Sequence, residues 1–269
     1  MQRTKEDQVA IRRFQDLCRM AYQRGIPFYS DFISLTERDF VYQAVAEYYP
    51  SLTTQGYPLA FYGGYQDAER TIVCFMPETD SPEPATTSYP ICCIRVEPVN
   101  RRFCEDLTHR DYLGTIMGLG LERDQIGDIV VRQEGDHSAK TTIAYVFCKK
   151  NKAELLLDLN RIRHTTVLAR EVDAQSMHWT PEYKEIAGSV SSLRMDAILS
   201  IAIRISRTQG LQLIREGNVY LNGRCCTENA KLLQDGDILA IRGYGKYLFC
   251  YTGGVSKKGR YQIIVKQYI

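Results

Sequence analysis

Several things are missing from this 269-residue chain, and each absence excludes a class of function. A membrane-crossing helix needs roughly 18 or more uninterrupted apolar residues. The nearest stretch, 107–121, is broken by His109, Arg110 and Asp111. The first residues hold no apolar signal core, and Glu6 and Asp7 argue against an organellar transit peptide. These absences point to a cytoplasmic protein with no membrane partner. None of the nine cysteines forms a Cys-x-x-Cys pair, and Cys92-Cys93 and Cys225-Cys226 are adjacent, which suits neither tetrahedral coordination nor easy bridging. Cys74, Cys92, Cys93, Cys148 and Cys250 sit in apolar, strand-like runs, so the thiols are expected reduced, packed as small core hydrophobes. His109, His137, His164 and His178 show no metal-ligand spacing. No metal and no cofactor is expected, and no internal repeat or low-complexity tract is evident.

Net charge is also nearly absent, since 34 basic and 32 acidic residues leave +2. Its distribution is uneven. From Leu193 onward there are 12 Lys/Arg and 5 Asp/Glu, or +7, leaving 22 and 27, or −5, in the first 192 residues. A basic module joined to a mildly acidic body points to a polyanionic partner for the C-terminal part.

Hydrophobic periodicity divides the chain into an α+β protein of three parts. Val9, Ile11, Phe14, Leu17, Cys18 and Tyr22 recur at helical spacing, and Gly25 with Pro27 ends that helix. A second helix starts at Thr36, with Thr36 and Asp39 as a capping-box-like pair, and runs to Pro50. After a turn at Gly63-Gly64, residues 71–75 read as a strand. Residues 1–77 are therefore a small N-terminal α/β domain, and the Pro-, Ser- and Thr-rich stretch 77–90 is a linker. Beyond it come strand 91–97, helix 108–119, strands 128–133 and 141–149, helix 152–161 and strand 165–172. That β-α-β-β-α-β order predicts a ferredoxin-like, RRM-like domain over 78–180. Gly114 and Gly118 are expected to let its first helix approach the sheet closely. Tyr145 and Phe147 share one strand face, where an RRM would stack bases, but the strand lacks the RRM glycine-aromatic motif; they are expected to pack internally. A polar stretch, 180–192, reads as a second linker.

The last part, 181–269, carries the clearest site. One helix is read over 194–204 with Ser191-Ser192 as caps, and a second follows, capped by Ser206 and ending at Gly217. Arg204 and Arg207 then concentrate positive charge at the corner. Asp196 is expected to pair with a nearby arginine. Strand 219–221 enters a tight Asn222-Gly223 turn. A second turn at 234–237 leads into strand 238–242, followed by a turn at Gly243-Tyr244-Gly245. Arg194, Arg204, Ser206, Arg207 and Arg215 from the helices, Asn222, Gly223 and Arg224 from the turn, and Arg242 and Lys246 from the later strand are the candidate residues for binding a polyanionic partner. Arginine's planar fork matches phosphate oxygens in pairs.

Leu193-Arg194-Met195-Asp196, Ser206-Arg207, Leu213-Ile214, Gly217, Val219, Asn222-Gly223, Gly236-Asp237 and Arg242-Gly243 resemble the S4 RNA-binding domain in order and spacing. Gly210 departs from it, standing where S4 domains usually carry alanine; this should cost roughly 0.5–1 kcal/mol of helix propensity. Upstream, Phe61-Tyr62-Gly63-Gly64-Tyr65, Asp67-Ala68-Glu69-Arg70, His109-Arg110-Asp111-Tyr112-Leu113-Gly114, Gly118-Leu119-Gly120 and Ile126-Gly127-Asp128-Ile129 resemble the YlmH family of bacterial S4 proteins, over nearly the whole chain. That resemblance implies a partner in ribosomal RNA or peptidyl-tRNA on the large ribosomal subunit, rescue of stalled translation, and a gene neighbourhood tied to cell division. The expectation is a monomeric RNA-binding protein with no small-molecule substrate and no chemistry of its own.

Three enzyme classes stand against this reading. His109-Arg110-Asp111 echoes the catalytic-loop tripeptide of protein kinases, but no nucleotide loop or Asp-Phe-Gly accompanies it. A pseudouridine synthase needs a catalytic Asp after an Arg, and here Arg194-Met195-Asp196 belongs to the S4 helix itself. A methyltransferase needs a glycine-rich loop opening a helix, and Gly243-Tyr244-Gly245 opens none. The rival readings are an RNA-modifying enzyme, a pseudouridine synthase or methyltransferase targeted by its S4 domain, and a protein–protein adaptor that has lost RNA binding.

Overall fold

The structure, a computed structural model, describes residues 5–52, 56–66, 68–78, 80–100, 104–134, 141–176, 183–256 and 259–268. Among the residues named above, Asp67, His137 and His178 lie outside that set. By contact the chain divides into two compact units: Met1–Arg12 with Leu35–Glu47 and Thr180–Ile269, and Arg13–Ser34 with Tyr48–Trp179.

In the second of these units, helix α1 (Lys5–Arg24) contributes its later turns and ends at Gly25, whose φ of 65° suits a left-handed cap. Strands β1 (Phe28–Ile33), β2 (Leu59–Tyr62) and β3 (Thr71–Phe75) form an antiparallel sheet in the order β1-β3-β2. The sequence shows only β3. A bulge between Tyr29 and Phe32 breaks the alternation of β1, and the buried Ser30 hydroxyl there accepts from Val73 N at 3.0 Å.

The same unit holds the ferredoxin-like fold. Strands β4 (Ile91–Pro98), β5 (Ile126–Glu134), β6 (Thr141–Lys149), β7 (Arg161–Ile162) and β8 (Thr165–Val172) lie in the order β5-β6-β4-β8-β7. With β7 as an added edge, this is the predicted β-α-β-β-α-β arrangement, all antiparallel. Helices α3 (His109–Gly118) and α4 (Ala153–Leu157) cover one face, burying Tyr112, Ile116 and Leu156 against Ile94, Val96, Ala144 and Val146. Thr108 and Asp111 make the capping box that starts α3, so His109-Arg110-Asp111 opens a helix as expected. The glycines of α3 do not serve close packing. A β-carbon at Gly114 or Gly118 would meet nothing within 4 Å, because Tyr112 and Ile116 carry the contact with the sheet.

The other unit contains helix α2 (Arg38–Tyr48, all but its last residue) and an antiparallel sheet built on two short helices, α5 (Met195–Ala202) and α6 (Arg207–Arg215). Its strands are β9 (Tyr183–Val190), β10 (Val219–Leu221), β11 (Arg224–Cys225), β12 (Ile238–Ile241), β13 (Gly245–Val255) and β14 (Tyr261–Tyr268), ordered β11-β10-β12-β13-β14-β9. The stretch read as a linker thus contains a full edge strand. β9 pairs with β14 from Tyr183↔Tyr268 to Val190↔Tyr261. Gly188 is needed within it, since a β-carbon there would lie 2.7 Å from Ile201 of α5.

Candidate nucleic-acid interface

The helical corner is set by local chemistry. Ser206 caps α6, its hydroxyl accepting from Gln209 N at 3.3 Å while Gln209 Oε1 accepts from Ser206 N at 3.0 Å. Helix α5 starts later than expected, at Met195, and neither Ser191 nor Ser192 is its cap. Arg194 holds that position without a side-chain bond to the helix's free backbone N–H groups, and carbonyls of a distant loop take the first donors: Met195 N donates to Lys231 O at 2.8 Å and Asp196 N to Asn229 O at 3.3 Å. Helix α5 also ends before Arg204. That residue turns the chain at φ 54°, a left-handed conformation that is rare for a residue with a side chain.

Arg204, Arg207 and Arg215 are exposed. Arg207 and Arg215 are eight residues apart, which places them roughly 12 Å apart along one side of α6. Arg194 differs: its Nε donates to Asp196 Oδ1 at 3.0 Å, the pairing expected for Asp196, and Asp196 itself is buried. Gly210, on the inner side of α6, faces Asp196 O, Leu199 and Ile205.

The β10–β11 turn has positive φ at both central residues, 50° at Asn222 and 80° at Gly223, as an Asn-Gly hairpin requires. The Asn222 side chain is committed to the fold, donating to Asp237 Oδ1 at 2.8 Å and accepting from Ile238 N at 2.9 Å. Gly223 is buried, because Arg38 of α2 lies over it; a β-carbon there would meet Arg38 Cδ at 3.0 Å. Asp39 Oδ1 accepts from Cys225 N at 3.3 Å, and the exposed Arg224 guanidinium stands 5.6 Å from the Tyr42 ring centre. Sequence reading misses this role of Arg38, Asp39 and Tyr42, since no local pattern announces a contact across about 180 residues.

Arg242 is exposed and anchored by its N–H on Asn218 O at 2.9 Å. Lys246 corrects the expected set. It is buried in β13, with its ammonium 4.1 Å from the Tyr268 ring centre, so the aromatic ring and not solvent faces the charge. The Gly243-Tyr244-Gly245 segment is a turn, with φ of 84° and 105° at its glycines.

The ferredoxin-like sheet offers a contrasting surface. Tyr145 and Phe147 are both fully buried. The Tyr145 hydroxyl donates to Glu134 Oε1 at 2.5 Å and accepts from Arg95 Nη1 at 3.0 Å; burial, then the Glu134 bond, pushes its phenol up to about 12. Phe147 packs on Tyr65 with ring centres 4.9 Å apart, and Gly64 lies directly on its ring. The upstream motifs meet here. Asp128 accepts from Tyr65 OH at 2.8 Å, Glu69 N at 2.7 Å and Arg70 N at 3.1 Å, and Arg70 donates to the carbonyls of Ile126, Phe32 and Arg123. Among the described residues no group of three or more His, Cys, Asp or Glu is placed to hold a metal ion, and no helix is long and apolar enough to cross a membrane.

A helical hairpin with a capped, arginine-flanked corner, followed by an Asn-Gly hairpin and a small antiparallel sheet, defines an S4-domain RNA-binding protein. Residues 193–239 match the model of the S4 domain, and residues 84–176 match a model described as "Putative RNA-binding domain in YlmH". Over these stretches the chain is similar to the YlmH family. A curated relative in Bacillus subtilis (strain 168), "Ribosome-associated protein quality control protein P2", is 28% identical over 209 residues, covering 76% of each chain. A solved structure, "Cell division protein ylmH from Streptococcus pneumoniae", gives a TM-score of 0.48 at 22% identity, covering 65% of this chain and 96% of that one.

Proposed function

We propose that this protein binds folded ribosomal RNA or transfer RNA on the large ribosomal subunit through its S4 corner, in the rescue of stalled translation, and that it does so as a monomer without altering the RNA covalently. The observation that carries this reading is the exposed pair Arg204 and Arg207, held at a corner fixed by the Ser206–Gln209 capping box. Arg215, Arg224 and Arg242 are further exposed cations of the same unit. The name of the Bacillus relative supports the ribosomal setting. Such contacts position a protein on phosphate. Specificity then comes from RNA shape, because A-form grooves give side chains little base information.

If four of these arginines each neutralise a phosphate, log K falls with log salt at a slope of roughly −3 to −4. Crosslinking in cells, followed by sequencing of the attached RNA, tests the partner and is expected to recover ribosomal or transfer RNA. Recovery of neither overturns the assignment, and covalent change in RNA incubated with the pure protein overturns its non-catalytic part.

A further inference from the structure

Cys92 and Cys148 occupy directly opposed positions on β4 and β6, the two middle strands shared by the ferredoxin-like pairing. Their sulfurs are 3.3 Å apart, and both side chains lie in the core beneath the helices. All nine cysteines are free thiols in the structure. We propose that Cys92 and Cys148 are an oxidisable dithiol, a modification site at which peroxide closes a reversible cross-strand disulfide.

Geometry favours closure. Opposed residues of an antiparallel pair have Cα atoms about 4.5–5.5 Å apart, inside the roughly 4.4–6.8 Å that disulfides span. The sulfurs therefore reach bonding distance by side-chain rotation, with the ladder intact. Cys92 is the sulfur placed to react first. It borders a cavity of about 520 Å3 whose wall also includes Cys93, Thr86, Thr87, Lys150 and Glu171, whereas Cys148 is fully enclosed. The hydrogen bond from Cys148 holds the Cys92 thiol below its ordinary pKa, with Lys150 adding to the effect, while Cys148 is pushed up by the same contact. Cys93 lines the same cavity but cannot pair with Cys148: it packs on the opposite side of β4 with Tyr145 and Phe147, and burial pushes its thiol up to about 12.

The steps balance. The Cys92 thiolate attacks one oxygen of hydrogen peroxide, the O–O bond breaks, and the departing hydroxide takes a proton to become water, leaving a sulfenic acid. Cys148 sulfur then attacks the Cys92 sulfur, the S–O bond breaks, and a second water leaves with the Cys148 proton. Two thiols lose two electrons and peroxide is reduced to two waters. The bridge joins positions 56 residues apart, so it constrains the unfolded chain as well as the sheet.

The full chain is treated with hydrogen peroxide at neutral pH, quenched with N-ethylmaleimide, digested and read by mass spectrometry. The expected product is a peptide pair linking Cys92 to Cys148, lighter by two hydrogens and restored by dithiothreitol. The oxidised protein should melt roughly 5 °C or more above the reduced form. In Cys148→Ser, dimedone should trap a sulfenic acid at Cys92. Cys93→Ser should leave the link unchanged. Alkylation of both thiols, with no linked peptide, at peroxide levels that oxidise the half-exposed Cys104 overturns the proposal, as does a link that pairs Cys148 with Cys93. Both readouts use the wild-type chain, so a poorly folding variant leaves the test intact.

Discussion

In the ferredoxin-like sheet, Tyr145 and Phe147 are sealed by Arg95, Glu134, Tyr65 and Gly64, while at the S4 corner Arg204 and Arg207 stand exposed on a rigid turn. Both regions carry residue types associated with RNA. In the first, aromatic and charged groups satisfy one another inside the fold; in the second, arginine side chains are left to solvent while backbone and cap bonds hold the chain. Residue type therefore does not distinguish a reader of RNA from a joint between two sheets. What distinguishes them is whether the protein itself already supplies the partner.

The largest test of that contrast is at the joint. A β-carbon at Gly64 would fall 2.3 Å from the Phe147 ring, at a φ of 101° that side chains rarely adopt. Gly64→Val should cost about 3 kcal/mol or more in chemical unfolding, with RNA affinity per folded molecule unchanged. Asp128→Ala comes next. It strips a shared side-chain acceptor from Tyr65 OH, Glu69 N and Arg70 N, for a loss of about 2 kcal/mol. A large drop in RNA affinity from either variant, at unchanged stability, would break the distinction between joint and interface.

At the corner the expectation inverts. The double variant Arg204→Glu with Arg207→Glu should weaken RNA binding about tenfold to a hundredfold at roughly 0.1 M salt and make the salt slope shallower. Its unfolding free energy should stay within about 0.5 kcal/mol of the parent, since neither side chain is buried. Filter binding across a salt series, beside denaturant melts, reads both quantities. Ribosome co-sedimentation that survives this charge reversal in a folded protein removes the corner from the interface.

What could be read from the sequence follows the same line between local and distant causes. The Ser206–Gln209 cap, the Asn222-Gly223 turn and the order of the ferredoxin-like strands are written in neighbouring residues or in periodicity, and each is present. β9 was hidden because its partner, β14, lies more than seventy residues away and its polar, glycine-containing run alternates weakly. The bulge at Ser30-Asp31 masked β1 in the same way. Among the candidate site residues, Lys246 and Gly223 were misplaced for one reason: Tyr268 and Arg38, which cover them, are remote in the chain. The glycines of α3 failed differently, since helical spacing says which residues share a face but not which face meets the sheet.

Gly210 offers the smallest and most discriminating test. It lies buried on α6 where the helix meets α5, and an added β-carbon would find Asp196 O at 3.7 Å, Leu199 Cβ at 3.8 Å and Ile205 Cδ1 at 3.9 Å, all ordinary contact distances. No positive φ is recorded there, so glycine is not required by the backbone. Gly210→Ala should therefore stabilise the protein by about 0.5–1 kcal/mol through reduced freedom of the unfolded chain, seen as a higher denaturant midpoint with an unchanged m-value. Because the new methyl group is enclosed between the helices and touches none of the exposed arginines, RNA affinity should not move. A loss of stability would mean that α5 and α6 approach more closely than these distances record, and a change in affinity would mean that the corner's geometry depends on the packing beneath it.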